Sequence, residues 1–323
     1  MAQVEHFGQT ADGRKVDKIT IAKGDLTVSL LTWGAVLQSV RLRGVSHDLT
    51  LGSDRVGDYE GEMCFHGVII APVANRIGGA RATIGGREHV FEANQAGHCL
   101  HSGSTAAQRQ VWEMVDAAPH AATLGLSLPD GLGGFPGNRR VEARFSLTDT
   151  TLRLELHATT DAETLWNATS HGYWTMDGGP DWTGHSLQIA ADHWLPTDAN
   201  DRPTGEIAPV TGSAMDFRQM RTPAPGEPPL DHCFCLSYGQ VPLREVLTLQ
   251  GRSGLRMTVA TTEPGVQVYD GRAARRPGHG AYEALAFETQ GWSDAPSYPA
   301  FPPITLRPGT PSRQITEWRF DRV

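Results

Sequence analysis

The sequence predicts an all-β fold, a large antiparallel β-sandwich with little helix. Apolar and polar residues alternate with a period of two along much of the chain, and glycine (36) and proline (21) supply frequent turns. No long segment carries the periodicity of an amphipathic helix. Because no linker and no fixed-period repeat divides the chain, we predict that residues 1–323 form one β-sandwich domain and neither a propeller nor a solenoid.

The individual strand predictions follow from local patterns, taken in chain order. Apolar alternation on both sides of turn-forming residues is typical of a β-hairpin. This criterion predicts strand pairs in residues 26–42 with a break near Gly34, residues 80–91 around Gly85 and Gly86, residues 141–156 around Asp149, and residues 246–259 around Gly251 and Gly254. Helical signals are weak, and only residues 105–114 would accommodate a turn or two of helix.

Charge and cysteine content limit the partners and the compartment. The formal net charge is −8 without a long Lys/Arg run, which argues against nucleic acid or an anionic membrane surface as a partner. The four cysteines form no C-x-x-C pair, a pattern that favours reduced thiols in a cytosolic protein. No signal peptide is evident, and the most apolar segment, residues 67–74, is too short to span a bilayer. We therefore expect a cytoplasmic monomer or homodimer that acts on a small molecule.

Three residues have side chains suited to proton transfer. His101 and His171 lie among small polar and aromatic residues, unlike core strands, and imidazole exchanges protons near neutral pH. Taken alone, each histidine is more often a hydrogen-bonded structural residue. Glu288 interrupts an apolar, strand-like segment. The sequence leaves two alternatives for it, a carboxylate that faces solvent or a partly buried base with a shifted pKa.

Two other patterns bear on metals and phosphates. The Gly-rich segment at residues 130–138 lacks the spacing of a phosphate loop and precedes a strand instead of a helix. His98 and His101 are three residues apart, which on a strand places their rings on different faces, and no second His/Cys cluster occurs. We therefore expect neither a phosphate-binding loop nor a metal site here.

Several segments, found in the same order, together resemble the aldose 1-epimerase (galactose mutarotase) family. The resemblance covers nearly the whole chain and implies a large antiparallel β-sandwich with a cleft on one concave sheet. The matching segments are Ala74-Asn75-Arg76-Ile77, Leu100-His101-Ser102-Gly103, Phe135-Pro136-Gly137-Asn138, residues 167–174, Leu230-Asp231-His232, residues 264–269, Phe287-Glu288-Thr289-Gln290 and Asp294-Ala295-Pro296.

The resemblance also implies a role for individual residues and an activity that needs no cofactor. Glu288 matches the family's general base and His171 its general acid. The sugar contacts that it implies are Arg76, His101 and Asp231. Asn75, Tyr173, Tyr269 and Trp292 are further candidates, of which Tyr269 and Trp292 offer the flat aromatic faces on which a sugar ring can pack. The expected reaction interconverts the α and β anomers of a free aldose. The base takes the O1 proton, the acid protonates the ring oxygen, and the ring recloses after rotation about C1–C2.

The proton chemistry leads to two further expectations. Near pH 7 we expect an ionised Glu288 beside a protonated His171, because a nearby negative charge favours the imidazolium. Activity should then follow a bell-shaped pH profile that is lost when His171 is replaced by asparagine. Ser102, Ser170, Gly172, Thr175 and Gly291 depart from the family pattern. These departures are expected to alter the shell around the sugar and argue against galactose as the preferred substrate.

Three alternative functions remain open at this level. A non-catalytic sugar-binding or sensing protein would share the aromatic residues and Arg76 but would not need both proton carriers. A sugar-phosphate mutarotase should place a basic cluster at the cleft rim, and Arg272, Arg275 and Arg276 form the most compact cluster in the sequence. A glycoside hydrolase normally needs two carboxylates, for which Asp231 would be the second.

Overall fold

The computed structural model describes residues 2–323 and confirms the predicted all-β class. The strands, numbered β1 to β26 in chain order, are Gln3–Gln9, Lys15–Lys23, Leu26–Leu31, Leu37–Leu42, Ile69–Ile70, Arg76–Ile77, Arg81–Ile84, Arg87–Val90, Cys99–Leu100, Glu113–Ala118, Ala121–Leu128, Arg139–Thr148, Thr151–Thr160, Thr164–Leu165, Thr169–Ser170, Tyr173–Trp174, Ser186–Ile189, His193–Trp194, Ala208–Pro209, Asp231–Cys235, Arg244–Gln250, Leu255–Thr261, Gly265–Tyr269, Leu285–Gln290, Thr305–Leu306 and Ser312–Arg322. The helical elements are short: α1 at Val56–Glu60 and single 3₁₀ turns at Gly78–Ala80, Ala107–Arg109, Leu132–Gly134 and Ala295–Ser297.

The predicted hairpins form, and the local reasons are visible in the backbone. Gly85 and Gly86, at φ +56° and +76°, join β7 to β8 as the two left-handed residues that a tight hairpin turn requires. The pairs β3–β4, β12–β13 and β21–β22 occupy the other predicted segments. Within residues 105–114 the helical signal yields only the 3₁₀ turn at Ala107–Arg109, because a strand starts at Glu113.

Three antiparallel sheets surround the main core. An eight-stranded sheet has the order β10-β11-β12-β13-β26-β22-β21-β17, a six-stranded sheet the order β16-β24-β23-β20-β18-β19, and β1 to β4 form a four-stranded sheet. The six-stranded sheet packs on the eight-stranded one. At this interface the ring centroids of Trp174 and Trp318 are 5.3 Å apart, and the Thr289 and Thr316 hydroxyls are hydrogen bonded. Each fully buried large apolar side chain in such a core contributes about 1.5–3 kcal/mol.

The register of the six-stranded sheet decides which residues share a face. Asp231 pairs with Tyr269 across β20 and β23, and Gln267 pairs with Glu288 across β23 and β24. Directly opposed residues, and those two positions away, point to the same side of a sheet. Asp231, Gln267, Tyr269 and Glu288 therefore share one face. Leu285 and Phe287 lie on the other face and point into the core. No helix among residues 2–323 has the length and apolar character needed to cross a membrane.

Candidate active site

A cavity of about 340 Å³ lies on the polar face of the six-stranded sheet. It brings together residues that are far apart in the sequence and includes all of the predicted site residues except Trp292. Its predicted members are Asn75, Arg76, His101, His171, Tyr173, Asp231, Tyr269 and Glu288. These side chains lie on or next to neighbouring strands, since β16, β24, β23 and β20 are adjacent in the six-stranded sheet and β6 pairs with β9 in a separate two-stranded sheet.

Glu288 and His171 are in contact at the bottom of the cavity. Glu288 Oε1 lies 3.5 Å from His171 Nε2, and only 2% of Glu288 and 4% of His171 is exposed. The solvent-facing alternative for Glu288 is therefore wrong. The second carboxylate oxygen, Oε2, and the other imidazole nitrogen, Nδ1, are enclosed and have no hydrogen-bond partner among residues 2–323. A ligand in the cavity therefore meets this pair through Glu288 Oε1 and His171 Nε2.

The protonation states differ from the ion pair expected from the sequence. Burial raises the pKa of Glu288 well above its usual value, and the nearby Asp231 charge adds to the rise while Arg76 opposes it. Burial lowers the pKa of His171 to about 4. Removal from water opposes the charged form of both groups. The resting pair therefore favours a neutral carboxylic acid beside a neutral imidazole, because desolvation outweighs their mutual attraction.

The backbone and a stack of rings fix the His171 imidazole. Its backbone N–H donates to Val68 O at 2.9 Å, and its backbone carbonyl accepts from Gly67 at 2.9 Å. The ring lies between Phe65 and Tyr173, with centroid distances of 6.0 and 5.1 Å and small interplanar angles. This packing restricts rotation of the imidazole and keeps Nε2 directed at Glu288.

A backbone hydrogen bond fixes the tautomer of His101. The N–H of Asn75 donates to His101 Nδ1 at 3.1 Å, and burial lowers the pKa of His101 well below its usual value. A neutral imidazole that accepts at Nδ1 carries its proton on Nε2. His101, His171 and Glu288 bring ligand atoms within 4.8 Å of one another. The Nε2–H form of His101 nevertheless lacks the lone pair that a metal would need, so this set suits proton donation to an oxygen.

Arg76 is held by a set of polar side chains along one wall. The residue is 4% exposed, and its Nε donates to Gln95 Oε1 at 2.8 Å. Its Nη2 lies 3.4 Å from an Asp201 oxygen and 3.8 Å from an Asp231 oxygen. Asp231 also accepts a hydrogen bond from Gln267 Nε2 at 2.6 Å. Burial raises the pKa of Asp231 to about 6, although Arg76 acts in the opposite direction.

Asp294 anchors the loop that carries Asp201. The Asp294 carboxylate is 2% exposed and accepts from the Gly78 N–H at 2.8 Å and from Arg202 Nε at 2.7 Å. Gly78 follows the strand of Arg76, and a β-carbon at Gly78 would lie only 2.4 Å from the Arg202 guanidinium. One buried carboxylate therefore joins the segment of Arg76 to the segment of Asp201.

Sequence reasoning missed several residues of the cavity wall. The unpredicted lining residues are Glu62, Cys64, Phe65, His66, Gln95, Leu100, Asp201, Arg272, Ala273 and Ala274, and Gln267 contacts the wall through Asp231. Strand pairing could have identified Gln267, since it lies opposite Glu288. Phe65, His66 and Asp201 lie outside regular strands, where no periodicity indicates the direction of a side chain.

The predicted sugar contact at Trp292 is wrong. Trp292 is 0% exposed and does not line the cavity. Its indole packs against Phe301 and Tyr238, and its Nε1 donates to Pro264 O at 3.0 Å. The alternation that places Glu288 on the cavity face ends with β24 at Gln290. The residues beyond that strand follow the turn, and the indole enters a separate apolar cluster.

Replacing Trp292 with phenylalanine should lower stability without changing the interaction with sugar. The smaller ring leaves part of an apolar cluster unfilled, which costs about 2 kcal/mol of unfolding free energy. Urea unfolding would measure the loss, and polarimetry should return an unchanged KM. A raised KM at unchanged stability would instead assign Trp292 to the sugar site.

The departures from the family pattern do not line this cavity either. Ser102 Oγ donates to Val73 O at 2.9 Å, and Thr175 Oγ1 accepts from the Gly178 N–H at 3.2 Å. Gly172 lies against the Trp174 ring, Ser170 is buried outside the cavity, and Gly291 is hydrogen bonded to Asn167. Because these five residues do not line the cavity, they give no reason to expect a preference against galactose.

The three arginines of the predicted basic cluster do not converge on the cavity. Arg272 lines it and donates from Nε to the buried Asp270 at 3.0 Å. Arg276 is paired with Glu283 outside the cavity, and Arg275 is exposed. The rim therefore lacks the group of free cations that a phosphate would require, and the sugar-phosphate alternative is not favoured.

Comparison with known proteins agrees with this geometry. A family model described as aldose 1-epimerase matches residues 17–319. The chain is 32% identical to galactose mutarotase of Mus musculus over 97% of both chains, and 30% identical to aldose 1-epimerase of Escherichia coli K12 over 96% of both.

Solved structures give the same result. An aldose epimerase homologue from C. elegans superposes with a TM-score of 0.88 at 29% identity, over 95% of this chain and 99% of that one. Galactose 1-epimerase from Lactobacillus acidophilus superposes with a TM-score of 0.85 at 25% identity, over 100% and 99%. The sandwich, the cavity with its carboxylate–imidazole contact and these similarities agree that the chain belongs to the aldose 1-epimerase family, isomerases that interconvert the anomers of aldoses.

Proposed function

We propose that this protein opens and recloses the ring of a free, neutral aldose, with Glu288 as the base and His171 as the acid. The observation that carries the proposal is the 3.5 Å contact between Glu288 Oε1 and His171 Nε2, two buried side chains that line one cavity. Two positioned groups are needed because ring opening removes a proton from O1 and adds one to the ring oxygen. Each such group typically contributes about 10²–10⁴-fold to the rate.

In the proposed sequence the pair carries one proton throughout. When the sugar binds, the carboxylate form of Glu288 takes the O1 proton and the imidazolium form of His171 protonates the ring oxygen. The C1–O5 bond breaks and the aldehyde forms. After rotation about C1–C2, the same proton transfers run backwards, and attack by O5 on the other face gives the opposite anomer.

Burial has a direct consequence for this sequence. Ring opening converts a carboxylate and an imidazolium into two neutral groups. Separated charges are disfavoured in a desolvated cavity, whereas the neutral pair is favoured. The shifts of both pKa values therefore favour the open-chain state over the charged starting state, whereas forming that charged state from the neutral resting pair costs free energy.

The remaining wall supplies hydrogen bonds to the sugar. The Nε2–H of His101 and the guanidinium of Arg76 are donors, while the Asp231 carboxylate is an acceptor for hydroxyl groups. Asn75, Tyr173 and Tyr269 complete the proposed contacts. The cavity of about 340 Å³ is near the lower end of the range for small-ligand sites, about 300–1,000 Å³. This size favours a monosaccharide over a longer saccharide.

The pH dependence should report the coupled pair, with directions set by burial. Below about pH 4 the pair holds two protons, because the His171 imidazole, whose pKa is lowered to about 4, is then protonated while Glu288 keeps its own proton. As pH rises past the raised pKa of Glu288, the pair loses its only proton. We expect kcat/KM to be flat between these limits and to fall on both sides. Anomer exchange followed by NMR across pH would test this, and an acid limb near the ordinary imidazole pKa would contradict it.

The compartment and assembly are proposed on weaker but separate observations. All four cysteines are free thiols, and three of them are buried, which supports a reducing compartment such as the cytoplasm. Eight of the proposed site residues line one cavity of a single chain, which suits a monomer or a homodimer whose subunits each carry a site. The family match across residues 17–319 supports a single domain.

A further inference from the structure

His66 is a buried polar residue of the cavity wall that the proposed chemistry does not use. It lines the same cavity as Glu288 and His171, and only 2% of the residue is exposed. Its backbone N–H donates to Met63 O at 2.8 Å, but neither ring nitrogen has a hydrogen-bond partner. Buried polar atoms are nearly always hydrogen bonded, so two orphan nitrogens on one ring need an explanation.

Packing alone does not explain an imidazole at this position. The His66 ring stacks on Tyr173 with a centroid distance of 4.3 Å and an interplanar angle of 22°. A phenyl ring would stack on tyrosine equally well and would leave no polar atom unsatisfied. Stacking on Tyr173 therefore requires the flat ring of His66 but not its two nitrogens.

The ring is neutral in this environment. Burial lowers the pKa of His66 to about 3, and the neighbouring His171 and Arg276 charges lower it further. A neutral imidazole presents one N–H donor and one lone-pair acceptor. A sugar hydroxyl also donates one hydrogen bond and accepts others, whereas a carboxylate or phosphate accepts only.

We propose that His66 binds a hydroxyl group of the bound aldose and makes the enzyme selective for sugars that carry this hydroxyl. The inference rests on the proposed function of the cavity and adds a specificity-determining contact to it. The Tyr173 ring stacks on both histidines and lies between His171 and His66. The hydroxyl that His66 contacts is therefore remote from the atoms that exchange protons, and its loss should change selectivity more than proton transfer.

The test pairs the His66→Phe variant with a set of deoxy sugars. Anomer exchange by NMR gives kcat/KM for galactose, 2-deoxygalactose, 6-deoxygalactose and arabinose with both proteins, and calorimetry gives the corresponding Kd values. With the wild-type protein, the sugar that lacks the contacted hydroxyl should have a kcat/KM about tenfold below that of galactose, the order expected for one buried hydrogen bond. With His66→Phe, the kcat/KM for galactose should fall by a similar factor relative to the wild type. The kcat/KM for that deoxy sugar should be the same with both proteins.

Stability supplies the control for this experiment. Replacing an unsatisfied imidazole with a stacking phenyl ring should leave Tm unchanged or raise it, whereas a structural histidine would lower Tm on removal. If the phenylalanine variant does not fold, His66→Leu serves in the same cycle. An unchanged ratio across all the sugars would overturn the proposal. If the wild type accelerates no anomer exchange, the proposed function fails instead, and the Kd values still report whether His66 contacts a hydroxyl.

Discussion

Replacing Glu288 with glutamine should abolish mutarotation while retaining sugar binding. Glutamine keeps the shape of the side chain and a hydrogen-bonding oxygen, but it cannot accept the O1 proton. We expect kcat to fall by about 10²–10⁴-fold with a small change in affinity. Polarimetry of freshly dissolved α-galactose would measure the rate, and calorimetry would measure binding. A rate near that of the wild type would remove Glu288 from the role of base.

Glu263→Gln is a suitable control for this variant. Glu263 is also a buried carboxylate, 5% exposed, but it does not line the cavity and accepts hydrogen bonds from Gln240 and Gln314. Its replacement should disturb stability and leave kcat unchanged. The contrast separates the chemical role of Glu288 from a general effect of removing a buried acid.

The Glu288→Gln variant should also be more stable than the wild type at neutral pH. The pKa of Glu288 is raised in the folded protein, so folding becomes less favourable as pH rises above the pKa of the unfolded chain. Glutamine removes this dependence. The gain in Tm should be present at pH 7 and should shrink towards pH 4, where the carboxyl group is protonated in both states. An equal gain at both pH values would contradict the burial argument.

Replacing Asp294 with alanine should cause the largest loss of stability and should also weaken sugar binding. The change leaves the Gly78 N–H and the Arg202 guanidinium without their buried partner. Asp294 is buried, whereas Arg202 keeps 28% of its side chain exposed, so the loss of these charge-assisted hydrogen bonds should cost about 2–3 kcal/mol. Since the same contact orients the loop of Asp201 beside Arg76, we expect a higher KM with a smaller change in kcat.

The double variant Asp294→Ala, Arg202→Met provides the check. Removing the unpaired cation together with the carboxylate should recover part of the lost free energy of unfolding, because the half-buried Arg202 guanidinium is partly desolvated and would otherwise remain without its partner. Urea unfolding of the two single variants and the double variant gives the coupling energy. Additive losses would show that the ion pair does not link the two segments.

The limits of the sequence reasoning are local and physical. Alternating residues located the hairpins because each such strand has one apolar face, and the ordered motifs identified eight of the residues that line the cavity. The error at Trp292 arises because an aromatic ring suits both a sugar face and an apolar core, and the residue type alone does not distinguish them. The burial that removes the expected charges from Glu288 and His171 depends on contacts between distant segments, which no local pattern encodes.

His66 and Asp201 illustrate the same limit, because they line the cavity and were not predicted from the sequence. Both lie in irregular segments between strands, where backbone turns and not periodicity decide the direction of a side chain. His66 is recognisable only once its stacking on Tyr173 and its two unpaired nitrogens are known. Asp201 reaches Arg76 because Asp294 and Arg202 fix its loop.

Strand β24 has one more implication, which concerns how the sequence can diverge. All six of its residues are buried, so burial alone predicts uniform intolerance to substitution. The two faces nevertheless have different tasks. Leu285 and Phe287 fill the core and can be exchanged for other apolar side chains of similar volume. Glu288 has no substitute with the same chemistry. Tolerance along β24 should therefore alternate residue by residue, and a one-residue insertion within the strand would exchange the two faces and remove both activity and stability.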